Sequence, residues 1–377
     1  MKILVTGARG FVGKNLCLAL SERTDAEVLA YDLNSTPAEL KLYLAECDFV
    51  FHLAGVNRPQ DPAEFKSGNT IFTEDILDQL ASRAAAGHPP VPVMLASSTQ
   101  AALENDYGRS KAAAEKAVEA YAAKTGASVF VFRFANVFGK WCRPNYNSAV
   151  ATWCHNIARD LPVTVRDESA TVNLIYIDDA VAAMLRCLSP HAPTSQPGQP
   201  LSVTPVYTRT LGEIVSLIRS FRAETADLQV PDQQDDFSRK LYATYLSSLP
   251  EDGFAYPLVM HSDARGSFTE ILHSRERGQV SVNISKPGIT KGQHYHHTKH
   301  EKFCVVSGRG VIRFRKMDAV NSPIIEYHVS GEEMRVVRIP PGYTHSIVNE
   351  GDTDMVTVMW ANEVFDSAHP DTIREEV

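Results

Sequence analysis

The chain has 377 residues, 44% hydrophobic and 22% charged, which suits a soluble globular protein with room for two cored domains. Lys and Arg number 37 against 45 Asp and Glu, and the formal charge of −8 argues against a general nucleic-acid binder. No apolar run is long enough to span a bilayer, so no membrane partner is expected. The six cysteines (Cys17, Cys47, Cys142, Cys154, Cys187 and Cys304) form no CxxC pair and read as reduced thiols. The N-terminus enters a strand at once, with no signal peptide, so a cytoplasmic location is expected.

Lys2 to Thr6 is a short β-rich run, followed by Gly7-Ala8-Arg9-Gly10-Phe11-Val12-Gly13 and then a helical pattern. A glycine-rich turn between strand and helix lets the backbone approach a pyrophosphate at the helix N-terminus. Gly7, Arg9, Gly10, Phe11, Val12 and Gly13 are therefore the first candidate dinucleotide contacts. A second strand, Glu27 to Tyr31, ends in Asp32, which is placed to hold the adenosine ribose hydroxyls or to serve as a turn residue. The third strand, Phe49 to Leu53, runs into Ala54-Gly55, so Leu53, Ala54 and Gly55 are expected to pass beside the cofactor. Strands and helices alternate to about Leu188, which predicts a doubly wound, Rossmann-like α/β fold with a parallel sheet.

Ser98 follows a predicted strand over Val91 to Leu95, and Tyr107 and Lys111 lie nine and thirteen residues beyond it. Tyr107 and Lys111, at i and i+4 of a helix, share a face. A nearby ammonium is expected to lower the phenol pKa, so that Tyr107 can exchange a proton with a sugar oxygen that Ser98 also holds. Thr6 to Gly13 as TGxxGxxG, His52 to Gly55 as HLAG, Ser98 and Tyr107-x-x-x-Lys111 together resemble the extended short-chain dehydrogenase/reductase family. Arg133 to Gly139 (RFANVFG) and Tyr176 to Asp179 (YIDD) match it too. In that family the stretch after the RxxNxxG run lines a nucleotide-sugar site. The resemblance thus makes Asn136, Lys140 and Arg143 candidate substrate contacts. Lys140 and Arg143 suit a diphosphate, or are ordinary loop charges.

Ser189 to Pro200 reads as a Pro/Ser-rich loop. Amphipathic helices are predicted over Thr210 to Ala223 and Phe237 to Leu249. Pro250-Glu251-Asp252-Gly253 breaks the pattern, dividing the chain into a first domain of residues 1–250 and a second of 251–377.

The second domain turns β-rich, with strand-like runs at Val280–Ile284, Phe303–Val306, Val311–Phe314, Ile324–His328 and Met355–Trp360. Short strands with Gly/Pro turns predict a sandwich or barrel. His294 and His296 would aim two imidazoles to one side of a strand, where Glu301 and His345 join them. Three histidines and a carboxylate suit zinc or another divalent transition metal. The spacing Gly288, His294-x-His296, Glu301, Gly308, then Pro340-x-Gly342-x-x-His345-x-x-x-Asn349, resembles the two cupin motifs. Met334 stands where the second motif usually has glycine. Asp263-x-Arg265-Gly266-x-Phe268-x-Glu270 and Lys291 to Tyr295 resemble sugar-nucleotide 3,5-epimerase cupins. In those enzymes the residue matching His294 is a metal-free base. Here it is also a candidate ligand, so the base stays open among His294, Lys291, His297 and His300.

Enolisation needs a ketone beside the carbon being inverted, and reduction removes that ketone, so a joined epimerase and reductase must act in that order. The whole chain resembles the bifunctional reductase/epimerases of capsular and lipopolysaccharide synthesis, through SVNISKPGITKG, VVSGRGVIRFR, GDTDMVTVMW and FGKWCRPNYNS. The resemblance implies a UDP-linked 4-keto-6-deoxy amino sugar as substrate and UDP-2-acetamido-2,6-dideoxy-β-L-talose as product, with NADPH, a zinc-bound cupin and a homodimer. Asp32 would repel a 2′-phosphate and favours NADH, whereas Arg9 would attract one. A nucleotide-sugar 4-epimerase or dehydratase with an accessory cupin, and a non-catalytic dinucleotide sensor, are the rival readings. The sensor has no use for Tyr107 and Lys111 together.

Overall fold

In the computed structural model, which describes residues 1–274, 276–317 and 322–377, the first apolar runs pair as a parallel sheet. Its strands are β1 (Lys2–Thr6), β2 (Glu27–Tyr31), β3 (Phe49–His52), β4 (Val93–Ser98) and β5 (Val129–Phe134), in the order β2-β1-β3-β4-β5. Ile3, Leu4, Val5, Val50 and Phe51 are buried, as expected of strands covered on both faces. Leu4, Val50, Val93 and Val131 form one core with Leu40, Leu77, Leu80 and Val118 from the helices. The order reverses between β1 and β3, so the turns leaving these two strands open the crevice where such sheets bind ligands.

The structure corrects the predicted strand over Val91 to Leu95. β4 begins at Val93 because Pro90 and Pro92 have no N–H to give a ladder, and it runs on to Ser98. Three further strands, β6 (Asn136–Phe138), β7 (Thr171–Tyr176) and β8 (Tyr207–Thr210), form a small sheet in the order β6-β7-β8. The helix predicted from Thr210 spans Leu211–Asp227, and the next spans Asp236–Leu246.

The chain divides into two compact units, Met1–Arg219 with Asp235–Pro250, and Ser220–Gln234 with Glu251–Val377. A single break after residue 250 therefore misses a segment. Its physical tie to the second unit is a backbone exchange: the His273 N–H donates to Leu228 O and the Val230 N–H to His273 O, both at 2.8 Å.

The second unit holds two antiparallel sheets. One contains β9 (Met260–Asp263), β10 (Gly266–Ser274), β11 (Gly278–Ser285), β13 (Glu301–Ser307), β16 (Val336–Ile339) and β18 (Met355–Ala361), in the order β16-β13-β18-β11-β10-β9. The other contains β12 (Thr290–Tyr295), β14 (Arg309–Lys316), β15 (Ile325–Ser330), β17 (Tyr343–Asn349) and β19 (Ile373–Arg374), in the order β15-β14-β17-β12-β19. Phe303, Val305, Ile312, Phe314, Ile339 and Ile347 make its apolar core. This arrangement agrees with the all-β cupin expectation.

In the first unit, the helix Asp106–Thr125 is tied to the sheet by Glu115, which is 7% exposed. Arg133 on β5 donates to both Glu115 oxygens, at 2.9 and 2.7 Å, and Ser97 on β4 donates to one of them. Glu115→Ala would leave the guanidinium half-buried without its counter-charge. The expected loss is about 3 kcal/mol of unfolding free energy by urea titration. A loss below about 1 kcal/mol would show that water replaces the carboxylate.

Candidate functional site

The glycine turn follows β1. Gly7 has φ +70°, and the Gly10 N–H donates to Gly7 O at 3.0 Å. A Cβ on Gly13 would fall 2.1 Å from Gly7 O, so only glycine lets helix and turn approach this closely. The helix Phe11–Ser21 starts with no side-chain cap, which leaves its first N–H groups free for an anion. Asp32, at the end of β2, accepts from the N–H groups of Arg9 and Leu33, each at 2.7 Å. Its carboxylate thus shapes the glycine turn. The second turn touches the first: a Cβ on Gly7 would lie 2.8 Å from the Ala54 nitrogen. Gly55 makes room for Lys111, because a Cβ there would be 3.0 Å from the Lys111 Nζ. These features fit a nicotinamide dinucleotide.

Beneath this crevice His52 is 2% exposed. Thr73 gives its hydroxyl proton to Asn69 O, so it accepts from His52 Nε2 at 2.8 Å; His52 Nδ1 then accepts from Thr6 at 2.7 Å. The same Thr6 hydroxyl accepts the Ala54 N–H. A neutral imidazole therefore fixes the HLAG turn against β1.

Tyr107 and Lys111 lie on one helix, with the Nζ 5.9 Å from the phenol ring centre. The expected lowering of the tyrosine is not found. Burial raises the Tyr107 hydroxyl above its ordinary value, and a hydrogen bond with Ser98 offsets only part of this. Lys111 donates to Ala96 O at 3.1 Å, and burial lowers it to about 8 although Glu115 opposes this. Of the three candidate substrate contacts, Lys140 pairs with Asp178 and Arg143 stacks on Tyr146, 5.4 Å from its ring centre. Asn136 donates to Asn173 O at 3.2 Å.

In the second unit His294, His296, Glu301 and His345 each offer a ligand atom, and these atoms lie within 4.8 Å of one another. Glu301 comes from the six-stranded sheet and the histidines from the strands and strand end of the five-stranded one. The predicted HxH geometry is modified by a bulge. Gln293 takes φ +61°, Gly292 pairs with Ser346, and His294 rather than Gln293 faces His345. His296 lies just beyond β12, and its Nδ1 donates to Asp371 O, leaving Nε2 3.3 Å from Glu301. Asp371 also caps the turn after the HxH pair, accepting from the N–H groups of His297, Thr298 and Lys299. No sequence motif marks Asp371, which lies 75 residues away from His296.

His345 is fully buried, with neither ring nitrogen hydrogen-bonded, and its Nε2 is 3.4 Å from Glu301. Burial, then His345 and His296, lower His294 to about 4. Burial alone would raise Glu301, but His296 and His345 hold its carboxyl well below the usual range. Burial lowers His296, but its hydrogen bonds to Glu301 and Asp371 raise it overall, so a cation there would displace a proton. An ionised carboxylate beside three imidazoles is the set a divalent cation needs, and the orphaned His345 nitrogens fit one. The site opens on a cavity of about 970 Å³. Lys291 reaches this cavity but donates to Asn283 Oδ1, Ile284 O and Ser267 O at 2.7, 2.8 and 3.4 Å. His297 and His300 are exposed and outside its described lining.

The NAD dependent epimerase/dehydratase family matches residues 3–199, and the Polysaccharide biosynthesis C-terminal domain matches residues 261–373. The chain is 44% identical over 372 residues to a UDP-2-acetamido-2,6-beta-L-arabino-hexul-4-ose reductase of Pseudomonas aeruginosa, covering 99% of this chain and 98% of the relative. The chain belongs to this reductase family. The crystal structure of the capsular polysaccharide assembling protein CapF from Staphylococcus aureus matches the family fold end to end, with TM-score 0.92, 49% identity and all of both chains covered. UDP-glucuronic acid 4-epimerase from Bacillus cereus shares the fold over 66% of this chain and 99% of its own, with TM-score 0.55 and 19% identity. The reductase family thus joins an epimerase-type domain to an all-β domain. Among the described residues, no helix is long and apolar enough to cross a membrane.

One acid dependence follows from the family's HLAG turn. Burial, and then Lys111, push His52 down to about 3 from its ordinary 6.5. Between these values the unfolded chain binds a proton that the folded chain refuses. The His52 contribution to stability is therefore complete above pH 6.5 and declines as the pH falls toward 3. His52→Asn is expected to flatten the change of Tm between pH 7 and pH 4; an unaltered slope would assign that titration to other groups.

Proposed function

We propose that this chain is a bifunctional nucleotide-sugar enzyme. The second unit inverts C3 of a UDP-2-acetamido-2,6-dideoxy-4-hexulose. The first then reduces the C4 ketone with NADPH to UDP-2-acetamido-2,6-dideoxy-β-L-talose, on the route to UDP-N-acetyl-L-fucosamine. The observation that carries this reading is 44% identity, over 99% of this chain, to a reductase named for a 4-keto sugar nucleotide. A cytoplasmic homodimer is part of the reading, by resemblance.

In the reductase unit, Ser98 and Tyr107 hydrogen-bond the C4 oxygen, and Tyr107 gives it the proton that completes the alcohol. Raised by burial, Tyr107 keeps that proton until the oxygen gains charge. Lys111 supplies positive charge beside the phenolate left behind. The glycine turn after β1 would hold NADPH, which would supply the hydride. Asn136, Lys140 and Arg143 line the sugar-nucleotide side; Lys140 would exchange Asp178 for a diphosphate oxygen. In the second unit His294, His296, Glu301 and His345 would hold zinc or another divalent transition ion, which would supply Lewis acidity to the enolisation. The inversion acidifies C3 only while C4 is a ketone, which sets the order of the two steps.

Wild-type protein is expected to consume NADPH with the 4-keto sugar nucleotide, and Tyr107→Phe to slow this at least 100-fold. Turnover with no net NADPH oxidation would favour a 4-epimerase instead. In deuterated water the Tyr107→Phe protein should still place deuterium at C3, and chelation or His345→Ala should stop it. Exchange in metal-stripped protein would make the metal structural.

Asp32→Ala removes a carboxylate from the expected 2′-phosphate position. The ratio of kcat/KM for NADPH over NADH should rise by roughly tenfold, the scale of one short-range charge repulsion. An unchanged ratio would limit Asp32 to holding Arg9 and Leu33.

A further inference from the structure

A second bulge faces the same cavity as the metal-ligand group. In β10 the register with β11 slips between Glu270 and Leu272, so that Glu270 pairs with Ser281 and His273 with Gln279. Without the slip, residues 270 and 273 would point to opposite faces. The extra residue puts both on one face, where His273 Nδ1 meets Glu270 Oε1 at 2.6 Å; Glu270 lines the cavity and His273 stands behind it, outside the described lining. Directly opposed residues of neighbouring strands share a face. From His273 that face continues through Gln279 and Ala361 to Glu301 of the metal-ligand group. Glu270, Gln279 and Glu301 all line the cavity. The Leu228–Val230 backbone holds His273 from its outer side, so the bulge is fixed at both edges.

We propose that Glu270 is the base that takes the C3 proton, and that His273 is the positioning residue that orients it. This rests on the epimerase reading of the second unit. The earlier base candidates are otherwise engaged: His294 is in the ligand group, Lys291 gives its protons to three acceptors, and His297 and His300 lie outside the cavity lining. Glu270 is a half-buried carboxylate whose paired oxygen is held by an imidazole and whose other oxygen carries no such partner. In the forward step the C3–H bond breaks and its proton passes to Glu270. The C–H electron pair becomes the C3–C4 double bond, and the C4 carbonyl π pair moves to its oxygen. In the return step the carbonyl re-forms and C3 takes a proton from a cavity water on the opposite face. The resulting hydroxide is neutralised by the proton on Glu270, so the cycle closes with C3 inverted.

The test uses full-length protein loaded with zinc and the 4-keto sugar nucleotide in deuterated water, without NADPH. Deuterium at C3 is followed by NMR, and bound zinc by mass spectrometry. Glu270→Gln is expected to lose at least 100-fold in exchange rate while binding zinc as the wild type does. Glu270→Asp, one methylene shorter, should recover part of the loss. His273→Asn should lower the rate less than Glu270→Gln and leave the substrate KM near wild type. Exchange by zinc-loaded Glu270→Gln within threefold of wild type would overturn the assignment, as would an Asp variant no better than the Gln variant. A wild type that shows no exchange would overturn the epimerase reading itself.

Discussion

A polar group taken out of water must find a partner, and both units are built around that demand. In the second, His345 is fully buried with two unbonded ring nitrogens, and Glu301 sits beside it. A protein interior tolerates such a group when something electropositive completes it, and the convergence of His294 and His296 on the same point supplies the remaining ligands. In the first unit the demand is met by protein alone. Glu115 satisfies Arg133 and Ser97, while Thr6 and Thr73 keep His52 neutral. The reducing site rests directly on these two networks, since Lys111 stands one helical turn from Glu115 and its charge bears on His52.

Regular strands alone would not assemble the second cavity. An even alternation sends residues three apart to opposite faces, so Glu270 and His273 can meet only through an irregular strand, and His294 needs a second irregularity to stand opposite His345. The bulge at Gln293 sets His294 against His345, and the bulge after Glu270 brings His273 to the Glu270 side. Gly292 is needed for the first, because a Cβ there would lie 2.9 Å from His345 O. One sheet contributes Glu301 and Glu270, and the other contributes His294 and His345. Closing the cavity is therefore the same event as assembling the chemistry.

The two activities make opposite demands on proton affinity. A reductive proton donor must hold its proton until the C4 oxygen gains charge, and burial of Tyr107 would serve that purpose in the proposed reaction. The proposed metal ligands must release their protons, and burial of His294 favours this, while the hydrogen bonds of His296 to Glu301 and Asp371 oppose it. Desolvation favours the uncharged form in each case. It raises the Tyr107 phenol and lowers the His294 imidazole, whereas Glu301 is kept ionised against burial by His296 and His345.

Much of this protein is legible in its sequence because the signals are local. The turn at Gly7 to Gly13, the helical spacing of Tyr107 and Lys111, and the short spacing of His294, His296 and Glu301 each depend on a few bonds of backbone geometry. Strand runs such as Phe49–Leu53 and Phe303–Val306 are visible through their apolar residues, within a residue or two of the observed Phe49–His52 and Glu301–Ser307. The strand bearing His294 is legible from the HxH spacing, but its bounds, Thr290–Tyr295, and the place of His296 just beyond its end are not, because ladder pairing rather than composition sets them. Tertiary structure alone decided the rest. Asp371 reaches His296 only when β19 joins β12, and Leu228–Val230 pairs with His273 across more than forty residues of chain. The proton affinity of Tyr107 follows from how much water the fold excludes, which no spacing encodes. The Glu270–His273 pair depends on a register slip against β11, and register is a property of two strands together.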